Sequence, residues 1–291
     1  MEIFTPECGQ YHSVWYNGVR KTYVNKIETT KAPEVNLWCQ YGLCTNSGGP
    51  IVNFLVKNLP NDTALIIYQS DFVVDMPKNI NKCFKKYLLI SYFAAGPNTI
   101  LISGDDKFFE NPDFYLPDTV IPFENKIHDV FWRGECTGAV RRQVVFELNN
   151  FPGCDVKLVS GSDLYGATDW WRSIPKECFS ERVYKDEYSK HTIWLSIEGF
   201  GIASDYARCL MSGSAVIYFR LRKPWFDSYL KHEENCIIIE NDIEQLKFYI
   251  NKLLNDKELT RKIAENGKEL STRIFKKEVY EKFMLDQLKN C

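Results

Sequence analysis

Thr192-Ile-Trp-Leu-Ser-Ile197 runs into Glu198-Gly-Phe-Gly-Ile-Ala-Ser204, and Asp205-Tyr-Ala-Arg-Cys-Leu-Met211 follows. An apolar run, then glycines, then residues at helical spacing reads as strand, turn and helix start. In that order they make the geometry that cradles phosphate. Gly199 and Gly201 permit close backbone approach, Ser204 is placed to cap the helix, and free N–H groups with the helix dipole favour an anion. Any α/β loop needs a short glycine turn, so this segment alone identifies no ligand.

A second segment strengthens it. In Phe131-Trp-Arg-Gly-Glu-Cys-Thr-Gly-Ala-Val-Arg-Arg142 a strand ends at Arg133-Gly134, and Thr137 and Gly138 lead to a pair of arginines that would open the next helix. Cations at a helix N-terminus oppose the dipole, so Arg141 and Arg142 cost stability there unless they neutralise something nearby. A bound diphosphate would do so, since a planar guanidinium can grip it in bidentate fashion. Solvated surface ion pairs are the other reading.

Outward from these segments, strand and helix alternate in both halves of the chain. Ala64–Tyr68, Tyr87–Tyr92 and Thr99–Ser103 read as buried parallel strands, as do Val130–Trp132, Val156–Val159, Thr192–Ile197, Ala215–Phe219 and Cys236–Ile239. Two α/β domains follow. Pro112, Pro117 and Pro122 mark the linker, which puts the boundaries at 1–125 and 126–291. After Asp242, Leu246, Tyr249, Ile250 and Leu253 share one helical face. Asp256 then caps a second helix ending near Gly267, and a last helix covers about Lys276 to Leu288.

With 36 basic and 38 acidic residues and a net charge of −2, the chain carries no block of charge suited to a nucleic acid. Trp38, Trp132, Trp170, Trp171, Trp194 and Trp225 are spread over both halves, as sugar-stacking rings or plain core. The N-terminus has no signal-peptide pattern, and no window approaches the roughly 18 apolar residues of a membrane span. A cytoplasmic protein is expected, or a secretory-lumen one if the chain belongs to a longer precursor. Ten cysteines and a glycosylation sequon at Asn61-Asp62-Thr63 point the other way, but without a CxxC pair buried thiols are favoured over disulfides. His12, His128, His191 and His232 lie in no triad-like or zinc-like context. The chain also lacks a GxGxxG with an acidic residue about 20 positions later, as a dinucleotide site would have.

Taken together and in order, these motifs resemble the family-90 glycosyltransferases, a group with protein O-glucosyltransferases and xylosyltransferases. Trp132-Arg-Gly with Thr137 and Arg141 resembles the donor-phosphate segment. Tyr188 to Gly199, then Ser204, Arg208 and Gly213-Ser-Ala-Val-Ile217, resembles the family signature, and Asp113-Phe-Tyr-Leu-Pro117 resembles the Asp-x-x-x-Pro element ahead of the donor domain. Asp205 stands where many relatives carry a basic residue.

The resemblance implies an α/β fold of GT-B type, two Rossmann-like domains facing a central cleft, and transfer of a sugar from UDP with inversion. It implies donor binding by Arg133, Gly134, Thr137, Arg141, Gly199, Gly201, Ile202, Ala203, Ser204 and Arg208, and places Asp113 near acceptor or sugar. The catalytic base it implies is Asp71 in Ala64–Pro77, with Asp75 the nearest rival. Xylose or glucose is the expected sugar and a glycan or glycoprotein hydroxyl the acceptor. No metal or other cofactor is expected, since no DxD occurs and Glu240-Asn-Asp242 follows its strand too late. A non-catalytic nucleotide- or glycan-binding protein is the alternative on the same scaffold.

Overall fold

The computed structural model describes residues 11–16, 19–24, 27–29, 50–60, 63–69, 86–91, 99–101, 121–159, 174–183, 185–199, 203 and 205–290. It is an α/β structure with two six-stranded sheets. The first contains β1 (Tyr11–Tyr16), β2 (Val19–Val24), β3 (Ile27–Thr29), β4 (Thr63–Gln69), β5 (Lys86–Ser91) and β6 (Thr99–Leu101), in the order β3-β2-β1-β4-β5-β6. Strands β4, β5 and β6 run parallel, as their apolar runs predict. The antiparallel meander β1–β3, paired to β4 through β1, is an addition that the sequence reading did not contain.

The second sheet is parallel throughout. Its strands are β7 (Ile127–Gly134), β8 (Cys154–Val159), β9 (Phe179–Ser180), β10 (His191–Ile197), β11 (Ala215–Phe219) and β12 (Ile237–Ile239). The order is β12-β11-β10-β7-β8-β9. Counted from β7, that is the doubly wound order 3-2-1-4-5-6, and the winding reverses between β7 and β10. Ligands of such sheets bind outside the carboxyl ends of the strands at that reversal. The quoted segments form the two strands that flank it.

Alternation along the strands divides the core into two layers. Trp194, Val216 and Tyr218 face a cluster that includes Tyr206 and Leu210 of α4 (Tyr206–Met211), Leu270 and Ile274 of α6 (Lys257–Ile274), and Tyr280, Met284 and Leu288 of α7 (Lys277–Asn290). Ile193, Leu195, Ile197, Ile217 and Phe219 face the opposite cluster, which Val144 and Leu148 of α2 (Ala139–Leu148) and Leu246, Ile250 and Leu253 of α5 (Ile243–Asn255) complete. A sheet covered on both faces needs apolar residues at successive positions, and all seven residues of β10 are buried. Each large side chain so buried stabilises the fold by about 1.5–3 kcal/mol. Leu55 of α1 (Pro50–Lys57) and Leu65 of β4 belong to the first cluster, so α7 ties the N-terminal segments to the second sheet.

The C-terminal helices start where expected. Asp242 accepts from the Gln245 amide at 3.0 Å and Asp256 from the Leu259 amide at 2.9 Å. The second helix does not end near Gly267 but continues to Ile274. A Cβ at Gly267 would come within 2.8 Å of the Asn235 carbonyl, so this glycine serves close packing instead of termination.

Cys136, Cys154, Cys178, Cys209 and Cys236 are thiols. Among the described residues no helix is long and apolar enough to cross a membrane.

Lys126 lies buried at the start of β7. Its Nζ donates to the carbonyls of Ser189 and Ser212 and to Ser214 Oγ. Burial, with the nearby Lys268 charge adding to it, pushes its pKa from 10.5 down to about 8. Between those values the unfolded chain holds the proton more tightly, so the Lys126 contribution to stability rises with pH from about 8 to 10.5. Thermal melting across that range is expected to show wild type gaining on Lys126→Met as pH rises. A constant difference would contradict this.

Candidate functional site

At the reversal of winding, β7 ends at Arg133-Gly134 and β10 at Ile197, and the two following loops touch. A Cβ on Gly199 would lie 2.3 Å from Thr137 Oγ1, 2.7 Å from the Thr137 carbonyl oxygen and 3.2 Å from Arg141 Cζ. Glycine is required here by space. The structure thus brings together Thr137, Arg141 and Gly199, which are separated by up to 62 residues in the sequence.

Arg141 holds the two loops in place. Its Nε donates to the Ile197 carbonyl at 3.1 Å, while Nη1 donates to the Glu135 carbonyl at 3.1 Å and to Thr137 Oγ1 at 2.9 Å. The guanidinium also lies 5.5 Å from the centre of the Trp132 ring. Burial lowers its pKa, and the charge of Asp205 is the largest opposing influence. The bidentate grip on a diphosphate expected from sequence is therefore altered. Nε and Nη1 already serve protein acceptors, and only Nη2 makes no hydrogen bond among the described residues.

The helix that can receive an anion is α2. Its N-cap residue is Gly138, at φ 102, a conformation that favours glycine, and no side chain caps the first turn. The N-cap of this ten-residue helix, which follows the carboxyl end of β7, therefore offers its first amides no side-chain acceptor. The other helix start is different. α4 has six residues and Asp205 at its N-cap position, with its carboxylate directed elsewhere. Ser204, where the sequence places the helix-dipole contact, lies outside the described residues.

Two further expected donor residues are occupied by the protein. Arg133 pairs with Asp155 at 2.6 Å through Nη2, and its Nη1 donates to the carbonyls of Trp132 and Asp155. Gly134 lies flat against Trp132, whose ring a Cβ would meet at 2.3 Å. Ala203 is buried in the core beside α4, and Arg208 lies within that helix. Gly201, Ile202, Ser204, Asp71, Asp75 and Asp113 lie outside the described residues.

Several polar residues that the sequence reading left unassigned complete the surroundings. Glu198, wholly buried, accepts from the Tyr206 hydroxyl at 2.8 Å, the Arg222 amide at 2.9 Å and Arg222 Nη1 at 3.1 Å. Asp205 accepts from Ser196 Oγ at 2.6 Å and Trp194 Nε1 at 3.2 Å. Tyr188, the last residue of α3 (Lys185–Tyr188), donates to the Arg133 carbonyl at 2.6 Å and stacks on Trp194. Burial raises the Cys136 thiol to about 11, so it is not a thiolate nucleophile near neutral pH. Glu198 and Asp205 thus both accept hydrogen bonds from protein donors.

His128, His191 and His232 are likewise paired within the structure. His191 Nδ1 meets Asp129 at 2.6 Å, and His128 bridges Thr192 and the Leu254 carbonyl. His232 accepts from the Ile238 amide and meets the Tyr249 hydroxyl. At the other end of the sheet, Asp242 is a helix cap and Glu240 faces Arg220 at 3.8 Å. Among the described residues no group of three or more His, Cys, Asp or Glu could hold a metal ion.

No protein-family model and no curated protein matches the chain. Solved structures similar to it include the C-terminal domain of a glycosyl transferase group 1 family protein from Francisella tularensis. That match has 19% identity and a TM-score of 0.36, covering 57% of this chain and 97% of that one. HepE from Anabaena in complex with UDP-glucose matches at 13% identity and a TM-score of 0.47, covering 73% of this chain and 66% of that one. A glycosyltransferase from Rickettsia africae matches at 12% and 0.48, covering 75% and 68%. This chain thus spans about two thirds of the length of the last two. Likeness at this level carries nothing about reaction or substrate.

Proposed function

We propose that this chain is a GT-B type glycosyltransferase, with units divided near residue 125, that takes its sugar from a nucleoside diphosphate. The carrying observation is the meeting of Thr137, Gly199, Arg141 and the uncapped start of α2 at the carboxyl ends of β7 and β10, where winding reverses. A hydroxyl, a guanidinium and open amides converge there. That set suits a diphosphate and supplies no proton acceptor.

In this reading Thr137, Nη2 of Arg141 and the first amides of α2 take the diphosphate, and Gly199 lets the β10 loop approach it. The base comes from the other sheet as Asp71, as the family-90 resemblance implies, and the sugar is transferred with inversion to a glycan or glycoprotein hydroxyl. UDP carrying xylose or glucose is the donor. The two sugars differ by one CH₂OH, a difference worth only about 1–3 kcal/mol in a pocket.

Purified protein is expected to release free UDP from one member of a UDP-sugar panel, and NMR of the product is expected to show the opposite anomeric configuration from the donor. Retained configuration would reject inversion while leaving the transfer intact. The donor charge is met by Arg141 and α2, so turnover is expected to survive EDTA. Loss in EDTA with recovery on adding manganese would overturn that.

A further inference from the structure

Ile197 at the end of β10 and Asp205 at the start of α4 are each bonded to a neighbouring element. Arg141 Nε holds the Ile197 carbonyl from the α2 side. The Asp205 carboxylate reaches back to the strand, with one oxygen on Ser196 Oγ and the other on Trp194 Nε1. Asp205 occupies the N-cap position of α4 yet caps nothing. An aspartate there ordinarily accepts an amide of its own helix, so this carboxylate has been diverted from a local stabilising role to a non-local one.

Three features make the tie stiff. Ser196 is wholly buried and Trp194 nearly so. The Trp194 ring is stacked under Tyr188 with centroids 4.5 Å apart, and the Tyr188 hydroxyl is fixed to the Arg133 carbonyl at the end of β7. Gly199, just past the end of β10, has no room to move toward Thr137.

We infer that Asp205 is a positioning residue, whose bonds to Ser196 and Trp194 fix the end of β10, and with it Gly199, against Thr137 and Arg141. This inference rests on the nucleotide-binding reading of the same site. Fixing this end of the strand removes, in advance, the loop entropy that a ligand would otherwise have to offset.

The test uses the full chain and Asp205→Ala, with Ser196→Ala as the milder variant that deletes one of the two bonds. Amide hydrogen exchange is measured without ligand, and UDP affinity by calorimetry well below the melting transition. Faster exchange is expected in residues 197–206 and also across the gap in 135–141. The expected loss of UDP affinity is at least tenfold for Asp205→Ala and about twofold to fivefold for Ser196→Ala. Wild-type exchange in 135–141 for a cooperatively melting Asp205→Ala would overturn the inference, as would a wild-type UDP affinity for it. If Asp205→Ala does not fold, Ser196→Ala decides by the same two readouts. Failure of the wild-type chain to bind UDP would reject the proposed function, and the ligand-free exchange still decides the role of Asp205.

Discussion

Asp71→Asn is expected to lower turnover by at least about 10²-fold and to leave UDP affinity within about twofold of wild type. β4 ends at Gln69 in the parallel part of the first sheet, so Asp71 follows its carboxyl end by two residues in sequence. Strand ends of that kind border the ligand crevice of α/β folds. Among the described residues, Glu135, Glu198 and Asp205 lie near this edge of the second sheet, and each accepts hydrogen bonds from protein donors. An inverting transfer needs a base for the acceptor hydroxyl, and that base acts on the chemical step instead of on donor affinity. Asparagine keeps the shape of the side chain but cannot take the proton. Steady-state kinetics beside Asp75→Asn separate the two candidates: a larger loss at Asp75 would move the base there, and full activity in both would remove the mechanism.

The second large effect is expected at the contact between the two loops. Gly199→Ala would place a methyl group 2.7 Å from the backbone oxygen of Thr137, so backbone and not merely a side chain must move. Overpacking of this kind typically costs about 1–3 kcal/mol. Since the displaced atoms belong to the proposed phosphate site, a cost of that size falling on the bound state would lower UDP affinity by about fivefold to 150-fold. Arg141→Ala should cost both affinity and stability, because it removes the bonds to Ile197, Glu135 and Thr137 together. Hydrogen bonds from charged donors contribute about 1.5–3 kcal/mol each. Arg141→Lys is not expected to rescue, since one ammonium cannot span acceptors in the fork geometry of a guanidinium. Calorimetry and melting curves check both sites, and wild-type UDP affinity in either variant would count against the assignment.

Most of the second sheet was readable from apolar runs, because strands buried on both faces need few polar residues. Its strand order was not, since order depends on which helices cover which face. The meander β1–β3 was overlooked, although Asn17-Gly18 stands between β1 and β2 in the sequence and is a favoured two-residue hairpin dipeptide. Gly267 misled as a helix terminator because propensity cannot see the Asn235 carbonyl packed against it.

At the site, the convergence of Thr137, Arg141 and Gly199 was legible as two motifs that both ask for an anion. How Arg141 is used was not, because the carbonyls it holds belong to backbone that only the fold brings near. Asp205 shows the same limit. In the sequence it stands out only as an acidic residue where the resemblance has a basic one, whereas its partners Ser196 and Trp194 lie on the strand that precedes it.

The most direct test of the account is a crystal structure of the chain with UDP bound. The diphosphate is expected at the carboxyl ends of β7 and β10, within hydrogen-bond distance of Thr137 Oγ1 and the first amides of α2, with Gly199 against it. UDP seated away from those residues, or that crevice left unchanged at saturating UDP, would contradict it.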